Sequence, residues 1–158
     1  MQHFAHTAVR SERAASIYAA VGGVETFFRL AHAMHARMQA DVLLGPRFAR
    51  VSAAHVPHLA MWLVEVFGGP KLYTETLGDI GPMLAAHANL TITEDERARF
   101  VELACDAAKA VFPAHSAAAL TPFRSYVEWG SRVAVSNAQR GHVANPAAGV
   151  PRWRSDDA

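Results

Sequence analysis

Two histidine pairs and one solitary histidine are the residues of this chain best suited to chemistry. His32 and His35, and His55 and His58, are His-x-x-His pairs, while His87 stands alone in Leu84-Ala85-Ala86-His87-Ala88-Asn89-Leu90. Imidazole ligates metals when neutral and changes its protonation near neutral pH, so it serves as ligand, donor or proton acceptor. On a helix, positions three apart lie on neighbouring parts of one face, an arrangement from which a zinc site draws ligands. His87 follows two glycine breaks, Gly22-Gly23 and Gly68-Gly69-Pro70. A single imidazole among apolar residues, downstream of such breaks, is one way for an all-helical protein to present an axial ligand to a haem. The plainer alternative is a histidine satisfied in the core or at the surface, and spacing alone leaves both open.

The elements that must position these side chains are helical almost throughout. Val24, Phe27, Phe28, Ala31, Met34, His35 and Met38 recur at spacings of three and four, a single apolar stripe that Asp41 and Gly45-Pro46 bring to an end. A second helix carries Leu59, Trp62, Leu63 and Val66 and stops at Gly68-Gly69-Pro70, with Pro57 comfortable only in its first turn. Gly78, Gly81 and Pro82 predict mostly loop, with short helical turns, over 71–86. Thr93 and Glu96 form a capping box for a third long helix, whose inner stripe is Phe100, Leu103, Ala104, Ala107, Ala108 and Val111. Thr121-Pro122 reads as the start of a last helix with Phe123, Tyr126, Val127, Gly130, Val133 and Ala134 inward and Gly141 as its stop. The expected organisation is an extension over 1–15, one domain over 16–140 and a flexible tail over 141–158.

Composition narrows the partners. A chain of 158 residues is one domain with room for a real core. A formal net charge of +1 gives no electrostatic case for nucleic acid or an anionic membrane surface. No run of roughly 18 apolar residues is present to span a bilayer, and Met1-Gln2-His3-Phe4-Ala5-His6 lacks the order of a secretory signal. A lone cysteine, Cys105, excludes an internal disulfide and fits a reducing compartment, so a cytoplasmic location is expected.

The order Ser16-Ile17-Tyr18-Ala19-Ala20-Val21-Gly22-Gly23, then Ala40-Asp41-Val42-Leu43-Leu44, then Gly68-Gly69-Pro70-Lys71-Leu72-Tyr73, then His87-Ala88-Asn89-Leu90-Thr91-Ile92 resembles the truncated haemoglobins, most of all their second group. The resemblance covers about residues 16 to 140. It implies an all-α two-over-two sandwich, the pair 24–40 and 53–67 stacked on the pair 94–112 and 121–140. It also implies haem b as cofactor, with His87 as the proximal iron ligand, Leu84 and Ile92 beside the haem, Leu59 on the distal helix and Phe48 bracing the porphyrin. Phe100 falls where second-group members usually carry a tryptophan that donates a hydrogen bond to bound ligand; phenylalanine keeps the ring and loses the donor.

Other positions depart from the family pattern. The usual distal Phe-Tyr reads Met34-His35 here, and His55 and His58 lie on the facing helix. These four are the candidate distal residues, with His55 the candidate sixth ligand. The usual arginines before the proximal histidine are missing from Gly81-Pro82-Met83-Leu84-Ala85-Ala86, which leaves Lys71, Tyr73 or Arg99 for the haem propionates. Two functions follow as expectations. One is a haem protein that binds oxygen or another small ligand, or does redox or peroxidase-type chemistry with an external electron donor. The other is a helical bundle that binds a non-haem metal through its His-x-x-His pairs. A homodimer is compatible with either.

Overall fold

The structure, a computed structural model, describes residues 16–139 and 145–157; the expected extension over 1–15 and the expected stop at Gly141 lie outside the described residues. Eight α-helices occur among the described residues: α1 Ile17–Val21, α2 Val24–Ala40, α3 Gly45–Phe48, α4 His55–Val66, α5 Leu72–Leu77, α6 Gly81–His87, α7 Glu94–Val111 and α8 Leu120–Ala138. Turns of 3-10 helix cover Ala114–Ala119 and Pro146–Ala148, and no strand is present among the described residues. α2 packs on α4 and on α7, and α7 packs on α8, which gives the two-over-two sandwich. Its core is Phe27, Leu30, Met34 and Met38 from α2 against Leu63, Val64, Val66 and Phe67, with Phe123, Tyr126 and Val127 from α8. The fully covered Ala104, Ala107 and Ala108 of α7 let that helix approach closely.

The two glycine breaks meet in space. Ser16 caps α1 by accepting the Ala19 N–H at 3.2 Å, and Gly22 ends the helix at φ +108°, a conformation that a Cβ would strain. Gly68 ends α4 in the same way at φ +96°. The Tyr18 N–H then donates to the Phe67 carbonyl at 2.9 Å, which ties the start of α1 to the end of α4. Gly69 is needed for clearance: a Cβ there would lie 2.7 Å from the Tyr18 ring and 2.8 Å from Val64 Cγ1.

The capping box on α7 is present, with Thr93 Oγ1 accepting from the Glu96 N–H at 3.1 Å and Glu96 Oε2 accepting from the Thr93 N–H at 2.9 Å. Glu96 also holds the Arg47 guanidinium at 3.0 Å, so the short α3 is clamped to the start of α7.

Three segments differ from the sequence expectation. The stretch 71–86 is two short helices, α5 and α6. α5 is anchored because the buried Glu65 carboxylate accepts the Thr74 N–H at 2.9 Å and the Thr74 hydroxyl at 2.6 Å. α6 forms because Pro82 sits in its first turn, where a missing N–H costs nothing, and Asp79 accepts the Gly81 N–H. α8 begins at Leu120 after a 3-10 turn and has no side-chain cap, and Val133, expected on its inner face, is 36% exposed. Within the expected flexible tail, Val150 and Trp153 pack against the core: the Trp153 backbone N–H donates to the Val66 carbonyl at 2.8 Å, and the Arg152 guanidinium donates to the Gly69 carbonyl at 3.3 Å. One indole with aromatic partners holds this segment without any helical period.

Gly69→Ala is expected to lower the unfolding free energy by about 1–3 kcal/mol, the usual cost of overpacking a closed contact. Chemical denaturation followed by far-UV circular dichroism measures it; unchanged stability would show that Tyr18 and Val64 yield freely.

Candidate functional site

Four rings from four helices converge at one side of the sandwich. His35 of α2 and His55, the first residue of α4, have ring centroids 5.6 Å apart and planes tilted by 45°. Phe48 of α3 stands edge-on to both, at 6.3 Å from His35 and 6.0 Å from His55. Phe100 of α7 stacks on Phe48 at 6.4 Å with an interplanar angle of 19°. The clamp of Arg47 on Glu96 and on the Thr91 carbonyl keeps Phe48 in this group. His35 is half-buried, and its Nδ1 is covered without any hydrogen-bond partner among the described residues. An orphaned buried imidazole nitrogen costs about 1–3 kcal/mol unless a guest supplies its partner.

His87 closes α6, and its Nδ1 lies 2.8 Å from the carbonyl oxygen of Met83, one turn earlier. A carbonyl only accepts, so Nδ1 carries the ring hydrogen and the Nε2 lone pair is left for a ligand. Burial holds His55 below the ordinary histidine pKa, and the charges of His35, His87 and His58 add to the effect. His87, on α6, is thus among the groups that contribute to the environment of His55.

Around these imidazoles, large apolar side chains remain only partly covered. Phe48, Leu59 and Phe100 pack against the core while only partly covered, and Leu84 and Ile92 are half-buried. Apolar surface left open beside an unpartnered imidazole fits a flat, largely apolar group with a metal at its centre. Met34 is 1% exposed and belongs to the core behind His35, whereas His58 is exposed one turn along α4 from His55.

Some sequence candidates do not come together. The Arg99 guanidinium is held by Asp41 at 2.7 Å and by Glu102 at 2.9 Å, so it is already committed and does not stand as a free carboxylate donor. Tyr73 is 5% exposed, edge-on to Trp62 at 5.1 Å, and burial with the nearby Asp79 charge raises its phenol pKa. Lys71 is exposed. The His-x-x-His pairs are split, since His32 and His58 are exposed while His35 and His55 turn inward. Among the described residues no group of three or more His, Cys, Asp or Glu stands together as a metal site, so the non-haem reading is not favoured. Sequence reasoning missed Met83, whose carbonyl orients His87; the spacing of four within one helix was the available signal.

The sequence pattern of the bacterial-like globins matches residues 16–123. The chain belongs to this family. No curated protein matches it by sequence. Among solved structures it is similar to the haemoglobin of the thermophilic phototroph Chloroflexus aurantiacus, at 26% identity over 80% of this chain and 99% of that one, with a TM-score of 0.66. The thermostable haemoglobin of the actinobacterium Thermobifida fusca is similar at 26% identity, covering 81% and 100%, with a TM-score of 0.65. The group II 2-on-2 haemoglobin of Agrobacterium tumefaciens, at 20% identity over 82% and 98% and a TM-score of 0.66, shares the fold. As a globin the protein binds haem, and globins bind oxygen or other small ligands there. No helix among the described residues is long and apolar enough to cross a membrane.

The lowered pKa of His55 has a consequence for stability. The unfolded chain takes up this proton near pH 6.5, the folded chain only at lower pH, so below about 6.5 the unfolded state binds more protons and stability falls with pH. In haem-free His55→Gln the denaturation midpoint should depend less on pH, from about pH 7.5 down to 5, than in the parent. Parallel slopes in the two proteins would remove His55 as the source.

Proposed function

We propose that the protein is a truncated haemoglobin of the second group that holds haem b through His87 and binds oxygen or another small ligand on the side of His35 and His55. The observation that carries this reading is the bond from His87 Nδ1 to the Met83 carbonyl, which gives Nδ1 the ring hydrogen and leaves the Nε2 lone pair for a ligand. Cysteine usage supports the b type: the C-x-x-C-H motif of covalent haem attachment is missing, the chain's one cysteine being Cys105, half-buried on α7.

When bound, haem supplies an iron centre for ligand binding and for electron exchange. The rest is done by the chain. Phe48 and Phe100 brace one side as a stacked pair, and Leu59, Leu84 and Ile92 exclude water. His35 presents a covered ring nitrogen with no protein partner, so its hydrogen-bonding capacity is reserved for a guest. Phe100 offers no donor, and imidazole is the polar contact in its place. His55, whose pKa burial lowers, would offer a lone pair as a further ligand to bound iron or as an acceptor for a proton from peroxide. Redox or peroxidase-type turnover would draw on an external electron donor.

His87→Gly should abolish haem retention, and added imidazole should restore the absorption band near 400 nm, an order-of-magnitude position (about 400 nm) for haem ligated by histidine. An unchanged spectrum in this variant would overturn His87 as the ligand. His35→Leu should speed oxygen release by roughly 5- to 30-fold, the equivalent of a lost hydrogen bond of about 1–2 kcal/mol. Stopped-flow dissociation measures it, and an unaltered rate would make His35 a structural residue only.

A further inference from the structure

All three tryptophans of the chain, and two of its three tyrosines, form one connected cluster. Tyr73 meets Trp62 at 5.1 Å, and the Trp62 Nε1–H donates to the Tyr126 hydroxyl at 2.6 Å. Tyr126 lies 6.1 Å from Trp129 and 5.6 Å from Trp153, which are 5.4 Å from each other. One end reaches the pocket side of the molecule: His55, Leu59 and Trp62 recur at four- and three-residue steps on α4, so Trp62 shares the His55 stripe about 10 Å along the axis. The other end reaches water, since Trp129 is 41% exposed. Apolar packing alone gives no reason for three indoles and two phenols to adjoin one another in a continuous series.

We propose that this cluster conducts oxidising equivalents from the histidine-lined pocket through Trp62 and Tyr126 to Trp129, where a phenolic one-electron donor is oxidised at the surface. The proposal rests on the haem reading given above and assigns it a reductant class and a docking point.

The surroundings of each ring set its part. Tyr126 is buried, its phenol pKa is pushed up to about 12 by that burial, and its oxygen receives the Trp62 N–H. Its proton has no carboxylate or imidazole partner among the described residues, so Tyr126 bridges without being oxidised itself. The Trp153 Nε1–H is buried without an acceptor among the described residues, so charge is not trapped there by proton loss. Trp129 is the exposed ring of the cluster, whereas Trp62 and Trp153 are half-buried and Tyr73 and Tyr126 buried.

The step balances with hydrogen peroxide as oxidant. An electron leaves Trp62 for the pocket and is replaced from Trp129 by way of the Tyr126 ring. Trp129 releases its indole proton to water and becomes a neutral radical. A phenol then returns one electron and one proton to Trp129 and departs as a phenoxyl radical. Two such passages supply the two electrons and two protons that turn one peroxide into two waters, at the expense of two phenols.

The test treats the haem-loaded full chain with hydrogen peroxide, a nitroso spin trap and guaiacol as the phenolic probe. Mass spectrometry of peptides should find the trap on Trp129. Trp62→Phe should lose that labelling with its haem band unchanged, and Trp129→Phe should lose guaiacol oxidation with its haem band unchanged. A structural role for either ring would not move these readouts while the band stays the same. Labelling of Trp129 that persists in Trp62→Phe, or guaiacol oxidation that persists in Trp129→Phe, would overturn the conduit while the haem reading stands. A purified chain with no haem band would overturn that reading, and the conduit with it.

Discussion

The contact of Gly69 with the Tyr18 ring is the constraint on which the pocket depends. It sets how closely α1 approaches the end of α4, and a Cβ at Gly69 would intrude on the ring and on Val64 together. α4 carries His55, Leu59 and Trp62, so its seating against α1 and α2 decides where the open side of the sandwich places its imidazoles. The Tyr18 N–H bond to the Phe67 carbonyl reinforces the same join, and Phe27 and Phe67 stack behind it at 5.7 Å. Two glycine motifs that are far apart in sequence thus act as one joint, which explains why their order along the chain carries structural meaning.

With that joint in place, the fold buries nitrogen it does not satisfy. His35 Nδ1 is covered and unpartnered, and His55 is held neutral by burial next to it. Neither arrangement favours the haem-free fold, since an orphaned polar group costs about 1–3 kcal/mol and an imidazole kept neutral loses its stabilisation below its ordinary pKa. Local violations of otherwise consistent packing concentrate where a protein must bind something. In this chain one of them, His35 Nδ1 beside the buried His55, falls between α2 and α4, and the other orphaned nitrogen among the described residues, Trp153 Nε1, belongs to the aromatic cluster.

Much of this was legible in the sequence, and the physical reasons differ by element. The stripe through Phe27, Met34 and Met38 and the Thr93–Glu96 box are local patterns, and both appear in the structure as read. α5 was not legible because its anchor, Glu65 to Thr74, is a tertiary contact that helical period does not encode. The segment ending in Trp153 was read as a tail because periodicity detects regular elements only, whereas one indole against Tyr126 and Trp129 is enough to dock a nonperiodic strand of chain. Arg99 was a reasonable carboxylate donor by residue type, but Asp41 and Glu102 had already taken its guanidinium. At the site, stripe position put His35 and His55 on facing helices and the family resemblance supplied Phe48, and the structure groups the three rings, while the tautomer of His87 needed the geometry of the Met83 carbonyl.

The placement of hydrogen-bond donors gives the pocket its particular character. Phe100 carries none, and the indole on the facing helix, Trp62, spends its N–H on Tyr126 and so cannot reach a guest. What remains on that side is imidazole. A phenol donor stays protonated up to about pH 10, while an imidazole exchanges donor and acceptor roles near neutrality. A pocket furnished in this way can hold a ligand that needs a donor and can also accept a proton from one that must lose it. The indoles and phenols excluded from the ligand are instead joined to one another, from Trp62 to the exposed Trp129. Ligand contact and electron-rich rings thus share one face of α4, which begins with His55 and runs on to Trp62, and it is distance along the axis, about 10 Å, that keeps the two apart.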